Sequence, residues 1–336
     1  MAFSQIWGQN SAIQILRQAL IHGRLAHAYL LVGPEGVGKR LTALNLAKAM
    51  NCLSPPEPGE ACEACSSCRK INSANHADVV RIEPNGELIK IDQVRELQRQ
   101  LRFRPLEGGR RVCILDCADR LNEAAANALL KTLEEPPAET HLFLITARPH
   151  WLLPTILSRC QWVKFKPLSR GHLAQILRAV SSLSEEQALF YASLSGGSAS
   201  QALFLGDRLD FQKRVAWLQT FGGLFQKSPA EIFEICGQMA KEEDGLQDLL
   251  EIWKFWVRDL LVCKAIPEGK EDRFINHDCI NEIRDQARGF SFEQLQDFYR
   301  RLAESQRYLA LKVSRQSALE TLMLEMRKRG NEPQPV

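Results

Sequence analysis

The sequence predicts an α/β domain built on a parallel sheet, followed by a small helical lid and an all-helical C-terminal domain. Three observations carry this reading. Short apolar runs alternate with amphipathic helical stretches up to about residue 167, a glycine-rich loop joins the first run to a helix, and β signals vanish from Ser169 onward. The expected divisions are 1–167, 168–208 and 209–330, with a disordered tail at 331–336 that carries no core-forming pattern.

Taken in order, Asn10 or Ser11 is placed to cap a first helix whose Ile13, Leu16 and Leu20 share one face before Gly23 ends it. Residues 28–32 are apolar throughout and read as a buried strand. That strand feeds Gly33-Pro34-Glu35-Gly36-Val37-Gly38-Lys39 and then a Leu- and Ala-rich helix, a phosphate-binding unit. Further strands are expected at 79–82, 112–115, 142–146 and 162–165. Between them, Ile91, Val94, Leu97 and Leu101 set one helix, and 121–133 sets another that Pro136 must stop. Strands alternating with helices imply a parallel sheet covered on both faces. After Ser169 the pattern is helical to about residue 329, broken at Gly196-Gly197 and around 267–269.

Composition bounds the class. A chain of 336 residues exceeds what one hydrophobic core organises, so two or three domains are expected. Its 45% hydrophobic and 25% charged residues are ordinary for a soluble globular protein, and no apolar run approaches the roughly 18 residues of a membrane span. The start of the chain lacks the basic and apolar stretches of an export signal, so a cytoplasmic location is expected. A formal charge of +3 is too small to argue nucleic-acid binding from net charge, which leaves a local patch open, and for the arginines between Arg95 and Arg102 a solvated helix face is as good a reading as DNA contact.

The loop from Gly33 to Lys39 matches G-x-x-x-x-G-K, in which backbone N–H groups surround phosphate oxygens and the lysine reaches the terminal ones. The next residue should carry a hydroxyl to hold magnesium, and here it is Arg40. The strand at 112–115 leads into Asp116, the expected second metal element, but Cys117 stands where a water-polarising glutamate belongs. Gly33, Gly36, Gly38, Lys39, Asp116 and Thr146 therefore form a candidate degenerate nucleotide site with weak or absent ATP or ADP binding. Two defects at one site argue against turnover.

Cys52, Cys62, Cys65 and Cys68 are spaced C-x9-C-x2-C-x2-C, enough thiolates for a closed, structural zinc site in a module at about 52–71. Reduced thiols and an iron–sulfur cluster are the alternatives, the latter without other redox support. The module contains Arg69 and Lys70 but no aromatic, which disfavours a free-standing nucleic-acid-binding zinc protein. Cys113, Cys117, Cys160, Cys236, Cys263 and Cys279 lack ligand spacing and read as buried free thiols. His27 and His76 read as core or surface residues.

Asn127-Ala128-Leu129-Leu130-Lys131-Thr132-Leu133-Glu134-Glu135-Pro136-Pro137 and Ser158-Arg159-Cys160 resemble two motifs of the bacterial clamp-loader subunits, AAA+ proteins of the DNA polymerase III holoenzyme. With the phosphate loop and cysteine cluster, the resemblance covers about residues 1–210 by motif. It implies an AAA+ domain, a lid, a C-terminal collar that oligomerises, and a structural zinc. It also implies that Arg159 reaches ATP held by a neighbouring subunit. Motor subunits carry an arginine in the lid, and the similar stretch Gly197-Ser198-Ala199-Ser200 has Ser200 there. Loss at Arg40, Cys117 and Ser200 with Arg159 kept resembles the delta prime subunits. The alternative is an ATP-hydrolysing gamma/tau-like motor. The implied partners are gamma/tau and delta subunits, and through the complex the sliding clamp and primer-template DNA, with no membrane and no independent catalysis.

Overall fold

The structure, a computed structural model, describes residues 3, 6–107, 109–240, 245–266, 273–311 and 314–333. The expected break at 267–269 and the last three tail residues lie outside them. The chain divides into two compact units, one of residues 1–181 and 195–202, the other of residues 182–194 and 203–336. The segment expected as a lid thus contributes to both.

The first unit holds β1 (Ala28–Val32), β2 (Val79–Ile82), β3 (Arg111–Leu115), β4 (Thr140–Thr146) and β5 (Gln161–Lys164). All neighbours pair in parallel, in the order β2-β3-β4-β1-β5. Its helices are α1 (Asn10–Ile21), α2 (Lys39–Asn51), α3 (Ser66–Asn72), α4 (Ile91–Leu101), α5 (Glu123–Glu134), α6 (Pro154–Leu157) and α7 (Arg170–Val180). Strand residues alternate between two cores. Tyr29, Leu31, Ile114 and Phe143 pack with α1 and α2, while Leu30, Cys113, Leu115 and Leu144 pack with α4 and α5. Both faces are covered at the central strands β1, β3 and β4, which read as mostly apolar runs, while the edge strands β2 and β5 carry exposed polar residues such as Arg81 and Lys164.

The start of α1 differs from expectation. Gln9, not Asn10 or Ser11, is its N-cap, and no side chain caps it. Gln9 Nε2 instead donates to Lys166 O at 2.7 Å and Val37 O at 3.2 Å, tying the helix entry to the phosphate loop. Its Oε1, the acceptor a cap would use, takes the Lys166 amide at 3.2 Å instead.

The second unit is helical: α8 (Glu185–Leu194), most of α9 (Ala199–Arg208), α10 (Phe211–Gly223), α11 (Pro229–Met239), α12 (Leu246–Ala265), α13 (Ile280–Arg288), α14 (Phe292–Ala310) and α15 (Arg315–Gly330). Trp253 and Trp256 of α12 anchor its core, and their indoles donate to Trp217 O and Gln286 Oε1. The tail expected at 331–336 begins ordered, because Asn331 Nδ2 donates to Phe225 O and Glu332 O accepts from Gln294 Nε2. Among the described residues, no helix is long and apolar enough to cross a membrane.

Candidate functional site

The phosphate loop leaves the carboxyl end of β1, between β4 and β5, where α/β sheets bind ligands. Gly36 and Gly38 have φ of +72° and +98°, and Gly38 is the N-cap from which α2 starts. Lys39 is buried, and its Nζ donates to Gly33 O at 2.6 Å and Pro34 O at 2.5 Å. Burial holds its ammonium below the ordinary value, against the upward pull of Asp116 and Glu35. Ala199 N donates to Gly36 O at 2.9 Å, and a Cβ on Gly36 would collide with the hydroxyls of Ser198 and Ser200. Ser200 therefore lies on the loop, but it brings no cation.

The seat expected for magnesium is built differently. Arg40 Nη1 lies 3.7 Å from Asp116 Oδ2 and 3.5 Å from Glu83 Oε1, so a guanidinium stands beside the acid that should meet a metal. These residues do not fit a magnesium ion: the ligating hydroxyl is missing and a fixed positive charge opposes the cation. Cys117 has φ of +53°, and its amide donates to Asp116 Oδ1 at 3.0 Å. Burial first, then Asp116 and Asp119, pushes its thiol upward, so it is protonated near neutrality and is no base. Thr146, at the end of β4, donates to Asp119 Oδ1 at 2.7 Å. Glu83 and Asp119 escaped the sequence reading. Their one signal is position, Glu83 directly after β2 and Asp119 three residues after Asp116.

Arg159 follows α6, with about a third of its side chain exposed. Its Nη1 donates to Thr155 O at 3.0 Å and Ser158 Oγ at 3.3 Å, and its Nη2 meets Glu134 Oε1 at 2.6 Å. Glu134 belongs to the Asn127–Pro137 stretch, so the two family-like motifs meet in one ion pair.

The four expected cysteines converge. The sulfurs of Cys52, Cys62, Cys65 and Cys68 lie within 4.8 Å of one another. The amides of Cys62, Cys65 and Cys68 donate to the sulfurs of Cys52, Cys62 and Cys65 at 3.3–3.4 Å. The Ser54 hydroxyl, then the Cys65 and Ala64 amides, bring the Cys62 thiol down to about 6. Burial pushes Cys52 and Cys68 up. Four converging soft ligands with N–H···S support fit a structural metal ion, which would hold them all as thiolates. Lys48 of α2, almost fully buried, pairs with Glu63 between the two central cysteines and joins this module to the helix of the phosphate loop. Of the remaining cysteines, Cys113, Cys160 and Cys236 are buried as expected. Cys117, Cys263 and Cys279 are only half-buried, at an element end or on partly exposed helix faces.

A phosphate loop on a parallel sheet, an acid after β3 and a following helical unit define the chain as a P-loop protein of the AAA+ type. Family models described as "DNA polymerase III, delta subunit" and its C-terminal domain match residues 8–169 and 209–328. The chain is 32% identical over 329 residues to DNA polymerase III subunit delta prime of Bacillus subtilis, covering 95% of this chain and 96% of that protein. The delta prime subunit of Pseudomonas aeruginosa is 42% identical over 231 residues, 68% of this chain and 66% of that protein. Subunit tau of Bacillus subtilis is 30% identical over 84% of this chain, which spans 54% of tau. The chain belongs to the DNA polymerase III delta prime family.

Proposed function

We propose that this chain is a non-hydrolysing structural subunit of a DNA polymerase III clamp loader, which supplies Arg159 to ATP held by a neighbouring gamma/tau-like subunit. The observation that carries the reading is the different pairing of two arginines. Arg40 stands beside Asp116, on the side of the carboxylate that a magnesium ion would need, while Arg159 pairs with Glu134 and not with the acids of the phosphate loop. A guanidinium delivered from a neighbour stabilises charge on a transferring phosphoryl group and is worth roughly 10³–10⁵ in rate. The cysteine module takes a structural zinc, residues 168–208 act as a lid, and 209–330 join a hetero-oligomeric collar with gamma/tau and delta subunits. Clamp and primer-template DNA are met through that cytoplasmic complex.

The test is hydrolysis by the reconstituted complex with clamp and primed DNA. Arg159→Ala should assemble normally and lower the rate, and Arg159→Lys should rescue poorly, because an ammonium lacks the planar fork. Wild-type rates in Arg159→Ala would remove the trans-acting role.

A further inference from the structure

Glu134 is the last residue of α5, and Glu135 follows it. Acids at a helix C-terminus face the negative end of the macrodipole and work against the helix, typically by roughly 0.3–1 kcal/mol each. The helix alone gives no reason for a carboxylate at 134. What the carboxylate touches is Arg159, at 2.6 Å, the shortest of the arginine's contacts. The other two acceptors, Thr155 O and Ser158 Oγ, are neutral and lie at 3.0 and 3.3 Å. They hold one terminal nitrogen and aim the guanidinium. Among the described residues, Glu134 is the acid that pairs with it.

We infer that Glu134 is a latch on Arg159, a positioning residue that keeps the guanidinium paired until a neighbour presents a phosphate able to displace the carboxylate. The inference rests on the reading of Arg159 as a finger. A carboxylate and a phosphate compete for the same forked donors, so the two engagements exclude each other at Nη2. Both partners are partly exposed, at 35% and 50%, which places the pair in the weak, salt-screened range. A weak latch is what a reversible exchange needs, because a fully buried pair would not release.

The experiment compares wild type, Glu134→Gln, Arg159→Ala and the double variant in the reconstituted complex, with ATP varied at low and high salt. Glu134→Gln should lower the ATP concentration for half-maximal hydrolysis about two- to fivefold at low salt, leave kcat unchanged, and lose that advantage at high salt. Its melting temperature should not fall. The double variant should match Arg159→Ala, since the carboxylate acts only through the arginine. An unchanged KM in Glu134→Gln, or a shift that persists without Arg159, overturns the latch. So does a loss of thermal stability in Glu134→Gln, which would make the pair structural. If Arg159→Ala itself hydrolyses ATP like wild type, the finger reading fails first, and the latch with it.

Discussion

The first unit contains two places where the residue pattern calls for a cation, the cysteine cluster and the acid after β3, and the chain treats them in opposite ways. At the cysteine cluster all four ligands converge, three backbone amides support the sulfurs, and a buried lysine ties the knuckle to α2. At the end of β3 the carboxylate survives, but Arg40 has taken the cation's side of it. On the proposed reading a structural ion serves the fold itself, because so small a module has little core of its own. A catalytic ion is needed only where turnover happens. On the proposed reading, Asp116 and Lys39 stand at a site without turnover, and Arg159 acts on ATP held by a neighbour.

The largest expected effect lies at the cysteine cluster. The chain should contain one zinc by metal analysis, and structural zinc contributes on the order of 10 kcal/mol to such modules. Cys65→Ala, or a strong chelator, should unfold the 52–71 module and lower thermal stability, whereas Cys263→Ala should change little. Iron at this site, or equal effects of the two substitutions, would break the comparison.

A scale for purely structural loss comes from Asp78. It is fully buried and accepts from the amides of Leu106 and Glu107 and from Arg111. Asp78→Ala strands the buried Arg111 and should cost about 3–5 kcal/mol in denaturant unfolding, with no effect tied to nucleotide. Against the upward push of burial, these bonds hold the Asp78 carboxyl below its ordinary value. A depressed carboxylate stabilises the fold above its unfolded pKa near 3.9, and that share is lost as pH falls through the lower folded value. The Asp78→Ala deficit should accordingly shrink in acid.

The smallest effect belongs to the nucleotide loop. Arg40→Thr combined with Cys117→Glu should leave the isolated chain without measurable ATP turnover, because Ser200 still supplies no cation to the phosphates. Magnesium-dependent turnover that Lys39→Ala abolishes would sharpen the comparison against us, making the loss at this seat shallow.

Much of this was legible in the residues because local pattern and tertiary role coincide. The five strands lie within two residues of their expected ends, and for the central β1, β3 and β4 the reason is that buried parallel strands are apolar on both faces and need no periodicity to be seen. The four cysteines were legible because C-x2-C spacing constrains sulfur positions directly. What escaped depended on long-range contact. Gln9 caps nothing with its side chain because its Oε1 accepts from Lys166 N while its Nε2 donates to the Val37 and Lys166 carbonyls, 28 and 157 residues away. Glu134 carries no sequence signal of its own, and its meaning appears only when the turn after α6 brings Arg159 beside it. The lid also resisted a linear reading, because its helices are shared between two compact units rather than forming one.

The central claim is that this chain lends a cation to a neighbour's ATP while using none itself. It is tested most directly by placing Lys39→Ala and Arg159→Ala side by side in the same reconstituted complex, with assembly checked first, and measuring ATP hydrolysis at saturating nucleotide. The account predicts wild-type rates for Lys39→Ala and a marked fall for Arg159→Ala, approaching the roughly 10³-fold cost of a lost arginine finger at the site it serves. A fall with Lys39→Ala and none with Arg159→Ala would contradict it.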